Sequence, residues 1–298
     1  MKLDAVFPPM PTPFAGGEVD AGAIGRNVEA WARTGLGGIV ALGSNGEAPL
    51  LDEDESDRVI GEARARLPED RTLIAGTGRE STRATIAAST RAARLGADAV
   101  LVRTPSYFRG SMTAEAFVRH YTAVADACPA PVLLYNYPAV TGVNLAADLV
   151  GRLSQHPNIA GVKETGSDTA QVMSYISAAR AGFAVIAGSA PTFYPSLCAG
   201  ACGGILAAAC VVPDVCVRIF EHARAGRHAE ARDLQARLAP LARLVTTVYG
   251  IAGLKAAMDL VGLAGGEPRA PLLPASTDAI AQIRLGLEAL QSPAIPRA

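Results

Sequence analysis

The chain has 298 residues, half of them hydrophobic, with 28 acidic residues against 27 Lys and Arg and a net charge of −1. That is apolar material for one large core or two small ones, and the interspersed charges leave no basic stripe for a nucleic acid. The first nine residues hold no sustained apolar run before Pro8 and Pro9, and no stretch of about 20 apolar residues follows, so a membrane span is not expected and the reading is of a cytoplasmic protein.

From the N-terminus, short apolar runs alternate with longer amphipathic ones. The runs lie near residues 5–7, 38–42, 72–76, 97–103, 132–135, 159–163, 184–187 and 203–206, with helical patterns such as 21–34, 53–67, 81–95 and 114–127 between them. Gly35 and Gly96 stand where helices should end before the next strand. Eight such units and no GxGxxG turn after the first strand favour a (β/α)8 TIM barrel over an open doubly wound sheet. After residue 211 the pattern is helical only, near 213–225, 228–248, 251–261 and 276–290, which predicts a barrel over 1–210 carrying a C-terminal helical extension over 211–298. The tail at 292–298 is expected to fray. The five cysteines (Cys128, Cys198, Cys202, Cys210, Cys216) are odd in number and lack CxxC spacing, so they read as buried small hydrophobes rather than as a disulfide framework or a zinc site.

Only three of the 27 cations are lysines: Lys2, Lys163 and Lys255. Lys163 closes the apolar run Asn158-Ile159-Ala160-Gly161-Val162 at the end of the sixth strand, where a barrel places its chemistry. Arginine stays protonated, whereas a lysine taken out of water can lose its proton and attack a carbonyl. The other strand ends add Ser44-Asn45-Gly46-Glu47, residues 104–109, Tyr135-Asn136-Tyr137-Pro138, Glu164-Thr165 and Gly188-Ser189. One amine, several phenols and hydroxyls and a glycine-flanked turn suit carbonyl chemistry. None of the four histidines (His120, His156, His222, His228) falls at a strand end, so no metal site is expected.

The segments Gly43-Ser44-Asn45-Gly46-Glu47, Tyr135-Asn136-Tyr137-Pro138 with Thr141-Gly142, and Gly161-Val162-Lys163-Glu164 resemble, in order and spacing, the signatures of the dihydrodipicolinate synthase/N-acetylneuraminate lyase family of Schiff-base enzymes. Within it the chain is most similar to 4-hydroxy-2-oxoglutarate aldolases, through the Ser-Asn form of the turn, the Tyr107-Phe108-Arg109-Gly110 loop and the Gly250-Ile251-Ala252-Gly253-Leu254-Lys255 helix. The resemblance implies a class I lyase without cofactor, in which Lys163 forms an imine with pyruvate or another 2-keto acid. It also implies a homotetramer built from tight dimers. Tyr135 would shuttle protons through Ser44 and through Tyr107 of a neighbouring subunit. The N–H groups of Ser44 and Asn45, in the turn shaped by Gly46, would bind the pyruvyl carboxylate. Thr165, Gly188 and Ile205 would line the substrate.

Two departures bear on the substrate. Synthases that condense aspartate semialdehyde carry an arginine where this chain has Val140, and Arg103 stands at a strand end where an uncharged residue is usual, so Arg103 either clamps a carboxylate or, on the leading reading, is solvated or ion-paired. The resemblance therefore points to cleavage of 4-hydroxy-2-oxoglutarate into pyruvate and glyoxylate. Dihydrodipicolinate synthase and a 2-keto-3-deoxy sugar acid aldolase or dehydratase are the alternatives within the family, and a non-catalytic carboxylate sensor the alternative outside it. Tyr137 and His156 read as structural, Arg109 as a solvated or interface residue, Lys255 as a helix-surface cation, and Cys210 has no functional reading.

Overall fold

The computed structural model describes residues 2–291, so the expected fraying of 292–298 lies outside the described residues. Eight parallel strands, β1 Val6–Phe7, β2 Gly38–Ala41, β3 Thr72–Gly76, β4 Ala99–Arg103, β5 Val132–Asn136, β6 Ile159–Glu164, β7 Ala184–Ala187 and β8 Gly203–Ile205, pair in sequence from β2 to β8, and β8 pairs with β1. The last gap is bridged beside the strands. Gly37 N–H donates to the Val6 carbonyl (3.0 Å), Val40 N–H to that of Pro8 (3.0 Å) and Met10 N–H to that of Val40 (2.9 Å). The ring is the predicted (β/α)8 barrel.

Nearly every strand residue is buried, as expected when helices cover the outside and side chains fill the inside. The period of two sorts them. Val40, Ile74, Leu101, Leu133, Ile186 and Ile205 fill the interior, while Ile39, Leu73, Val100, Leu134 and Val185 face the helices.

The helices α1 Ala21–Ala32, α2 Glu53–Arg66, α3 Thr82–Arg94, α4 Ala114–Ala127, α5 Ala147–Leu153, α6 Thr169–Ala178 and α7 Phe193–Cys198 each follow the strand of the same number, and α8 Pro213–Arg224 follows β8. Local sequence starts several of them. Asp20, Ser81, Thr113 and Asp168 accept a backbone N–H at an N-cap, and Asp52 forms a reciprocal capping box with Glu55; each such cap is worth about 1 kcal/mol. Helix α8 packs on β1 and α7, and its Val217 Cγ1 lies 2.9 Å from where a Cβ on Gly35 would stand, just past α1. This first helix beyond residue 211 thus takes the outer-ring place after β8 while also packing on the extension helix His228–Arg243.

The extension proper is α9 His228–Arg243, a π-helical turn Leu244–Val248, α10 Gly250–Leu260 and α11 Thr277–Gln291. One unbroken helix was expected over 228–248; Pro240, which has no N–H to donate, lies inside α9, and the wider turn follows it. A small antiparallel hairpin, Phe14–Ala15 with Glu18–Val19, was not anticipated; Gly16 and Gly17 at φ +59° and +87° make its two-residue turn. Cys128, Cys210 and Cys216 are buried as expected, but Cys198 is exposed and Cys202 half-buried. Among the described residues no helix is long and apolar enough to cross a membrane.

Candidate active site

Strand register places Tyr135 opposite Lys163, Arg103 opposite Tyr135, and Ile186 on the far side of Lys163. Tyr135 and Ile186 belong to the interior cluster, so Lys163 ends β6 on the inner side of the ring. Lys163 is 3% exposed, and its Nζ lies 4.3 Å from the centroid of the Tyr135 ring. Burial, which penalises the charged form, lowers its pKa to about 7. The amine is then neutral in about half the molecules at pH 7, against roughly one in a few thousand for a lysine in water. Nearby Cys210 acts weakly in the opposite direction, but its own burial holds that thiol protonated. Cys210 also explains itself structurally: its carbonyl accepts from Trp31 Nε1 (3.1 Å) and its Sγ approaches the Pro9 carbonyl (3.5 Å).

The phenol of Tyr135 is 3.1 Å from Ser44 Oγ. Burial pushes its pKa up to about 12 against the opposing effect of that bond, so it is a proton donor at neutral pH. Ser44 sits in a doubled turn in which Gly46 N–H donates to the Gly43 carbonyl (3.0 Å) and Glu47 N–H to that of Ser44 (3.1 Å). Leu42 and Glu47 flank it in left-handed conformations, φ +56° and +55°, at a cost on the order of 1–3 kcal/mol each. Such strain persists only where the surroundings enforce it. The N–H groups of Ser44 and Asn45 have no partner among the described residues, so two adjacent amides remain free for an anion.

Gly188 and Thr165 are mutually dependent. A Cβ on Gly188 would stand 2.4 Å from Thr165 Oγ1 and 2.8 Å from the Glu164 carbonyl. The Thr165 hydroxyl is buried without a hydrogen-bond partner, while lying near enough to the Tyr135 phenol to favour its ionised form. Ile205 is fully buried in the interior cluster beneath this level.

Four further residues singled out in the sequence lie around this group. The Arg103 guanidinium binds Glu80 (2.7 Å), whose other oxygen takes the N–H groups of Ser106 and Tyr107, so Arg103 is ion-paired within its own chain rather than free as a clamp. Tyr107 is 80% exposed, packed edge-to-face on the exposed Phe108 at 5.0 Å, and bonds to neither Ser44 nor Tyr135 within the chain. Tyr137 stacks on Tyr135 at 5.9 Å, and Arg109 Nη1 lies beside Gly142. A cleft is lined by Ser44, Ala48, Gly78, Arg79, Arg103 and Tyr135; Lys163 does not line it but lies against the Tyr135 ring that does.

Two features were missed. Glu164, next to Lys163, is buried and accepts from Gly166 N–H (2.6 Å), Asn136 Nδ2 (2.7 Å) and Gln171 Nε2 (2.7 Å), while Asn136 Oδ1 accepts from Leu145 N–H (2.9 Å). This network fixes the ends of β5 and β6 that carry Tyr135 and Lys163. Lys255, read as a surface cation, is fully buried: its Nζ donates to Glu47 Oε1 at 2.6 Å. Its rarity among the cations, the signal that singled out Lys163, applied equally to it. No group of three His, Cys, Asp or Glu is placed to hold a metal ion among the described residues.

Comparison with known proteins gives one consistent picture. The profile of the dihydrodipicolinate synthetase family matches residues 2–290. A probable mitochondrial 4-hydroxy-2-oxoglutarate aldolase of Emericella nidulans is 36% identical over 288 residues, 95% of this chain and 93% of the relative. A 4-hydroxy-tetrahydrodipicolinate synthase of Xanthomonas campestris pv. campestris is also 36% identical, over 98% of each chain. The solved structure of the 4-hydroxy-tetrahydrodipicolinate synthase from Methylacidiphilum fumariolicum SolV superposes with a TM-score of 0.93 at 29% identity, covering 97% of this chain and 96% of that one.

Proposed function

Because this chain belongs to the dihydrodipicolinate synthetase family and is a carbon–carbon lyase, we propose that it cleaves a 4-hydroxy-2-oxo acid through an imine at Lys163, with 4-hydroxy-2-oxoglutarate giving pyruvate and glyoxylate. One observation carries this: a buried amine, whose pKa burial lowers to about 7, lies against a phenol that is itself bonded to the hydroxyl of Ser44, in the turn with two unpartnered amides.

The proposed sequence uses no group beyond these. The free N–H groups of Ser44 and Asn45 hold the 1-carboxylate, which places the 2-keto carbon before Lys163 Nζ. The amine adds to that carbon, Tyr135 protonates the departing oxygen, and loss of water leaves the iminium. The phenolate then takes the proton of the 4-hydroxyl. The C3–C4 bond breaks, its electron pair enters the iminium to form an enamine, and C4 leaves as the aldehyde. Protonation at C3 and hydrolysis return pyruvate and the free amine. Ser44 relays the proton that Tyr135 gains and loses.

The substrate choice rests on the aldolase relative and on Val140, which is 64% exposed where an aspartate semialdehyde synthase would present a guanidinium. Steady-state assays separate the family alternatives: condensation of pyruvate with aspartate semialdehyde at a higher kcat/KM than cleavage of 4-hydroxy-2-oxoglutarate would reverse the ranking. The test of the chemistry is borohydride reduction in the presence of pyruvate, followed by intact mass and peptide mapping. The expected result is one reduced pyruvyl adduct on Lys163; a chain that binds pyruvate without an adduct is a sensor.

Two further outcomes are expected. Only the neutral amine attacks, so the rate of imine formation rises with pH through a midpoint near 7 and levels off above it, as a trapping profile between pH 5 and 9 will show. The exposed Tyr107–Phe108 pair fits a tetrameric assembly in which Tyr107 reaches a neighbouring site. In that assembly Tyr107→Phe lowers kcat by about tenfold or more and leaves trapping on Lys163 intact; a variant with no adduct contradicts the relay role.

A further inference from the structure

The turn that holds Ser44 and Asn45 is tied to the C-terminal extension by an ion pair with no access to water. Glu47, in its left-handed conformation, is 1% exposed, and Lys255 on α10 is fully buried. Glu47 Oε1 accepts from Lys255 Nζ (2.6 Å) and Oε2 from the backbone N–H of Arg269 (2.7 Å). Lys255 Nζ also donates to the Glu267 carbonyl (2.9 Å) and lies 4.5 Å from the centroid of the Phe14 ring. The Arg269 guanidinium lies 4.3 Å from the same ring centroid, donates to the Leu50 carbonyl (2.9 Å) and grips both oxygens of Glu55 at the start of α2. On the near side Thr12 Oγ1 donates to the Gly46 carbonyl (2.7 Å). Every anchor of the carboxylate of Glu47 thus comes from residues 255–269, more than 200 positions downstream.

A buried ion pair is a weak source of stability, because desolvation of both charges offsets their attraction; what it does supply is geometry, since each charge accepts few alternative placements. Here it constrains a strained turn of five residues that carries the unpartnered amides of Ser44 and Asn45 and the Ser44 hydroxyl bonded to Tyr135. We propose that Lys255 and Glu47 are positioning residues: the helical extension sets the register of the turn, and through it the carboxylate-binding amides and the Ser44–Tyr135 bond. The inference rests on the Schiff-base reading of Lys163, and it makes the extension part of the site rather than a cap on the barrel.

Single substitutions strand a buried charge and can unfold the chain, so the decisive variant is the double Glu47→Gln with Lys255→Met, which removes both charges at nearly constant volume. The full-length double variant, checked for native circular dichroism and assembly size, is titrated with pyruvate in two ways: half-saturation of borohydride trapping on Lys163, and calorimetric Kd. The expected result is a folded protein in which both values rise at least tenfold, with the midpoint of the trapping pH profile unmoved because Lys163 stays buried. Pyruvate dependence within twofold of the parent in a folded double variant overturns the proposal. A parent chain that binds pyruvate but yields no adduct counts against the imine reaction instead, and the calorimetric comparison still decides the positioning role.

Discussion

Replacement of Lys163 by arginine is expected to abolish turnover while pyruvate binding persists, with kcat falling by at least about 10⁴-fold, the scale seen when a nucleophile is removed from a preorganised site. Arginine keeps a positive charge at this position, so attraction for a carboxylate survives. Its guanidinium does not lose a proton near neutrality and cannot form the imine. The position is 3% exposed, and the bulkier fork must be accommodated against Tyr135 and Ile186. Lys163→Met, which matches the stem and leaves no charge to bury, therefore serves as the control for folding. Both variants should trap no pyruvyl adduct, and turnover within tenfold of the parent in either would remove Lys163 from the reaction.

Tyr135→Phe is expected to lower kcat by about 10² to 10⁴-fold, the usual contribution of a positioned acid–base group. The ring remains, so its packing on Tyr137 at 5.9 Å and its contact with the Lys163 amine are kept. What goes is a proton carrier bonded to Ser44, worth about 1 kcal/mol of stability, or a melting shift of roughly 1–2 °C in a chain of this size. KM for pyruvate should change little because the turn amides are untouched. Stopped-flow trapping separates the steps: imine formation slows, and cleavage of the hydroxy acid slows further, since Tyr135 is needed a second time, then as the phenolate base. Equal rates in the parent and the variant would move the proton shuttle elsewhere.

The barrel could be read from the chain because its strands are buried on both faces and its helices on one, so a run of apolar residues and a 3.6-residue stripe alternate without ambiguity. Lys163, Tyr135 and Ser44 were visible for the same reason: once strand ends are known, polar residues there have no packing role to fill. Their convergence is then a matter of register, since Tyr135 and Lys163 are directly opposite on β5 and β6. The sequence was less informative about pairings across the chain. Glu80 lies 23 residues from Arg103 and Glu47 lies 208 from Lys255, and nothing local distinguishes a guanidinium or amine that will be matched from one that will be free. A lysine on a helix reads as a surface charge unless its partner is known. The place of α8 in the ring was hidden similarly: periodicity reports that a helix has an apolar face, not what covers it.

Closure of the ring has a consequence for how the chain is made. β1 is complete within the first seven residues, yet its second neighbour, β8, is not synthesised until residue 205. A nascent chain can gather strands in order, but it carries two open edges and a wet interior until the last of the eight arrives, a long-range pairing of the slow kind. An amine at position 163 in that unfinished arc is solvated and keeps its ordinary basicity. On the imine reading proposed above, the amine of lowered pKa therefore exists only once the ring is complete.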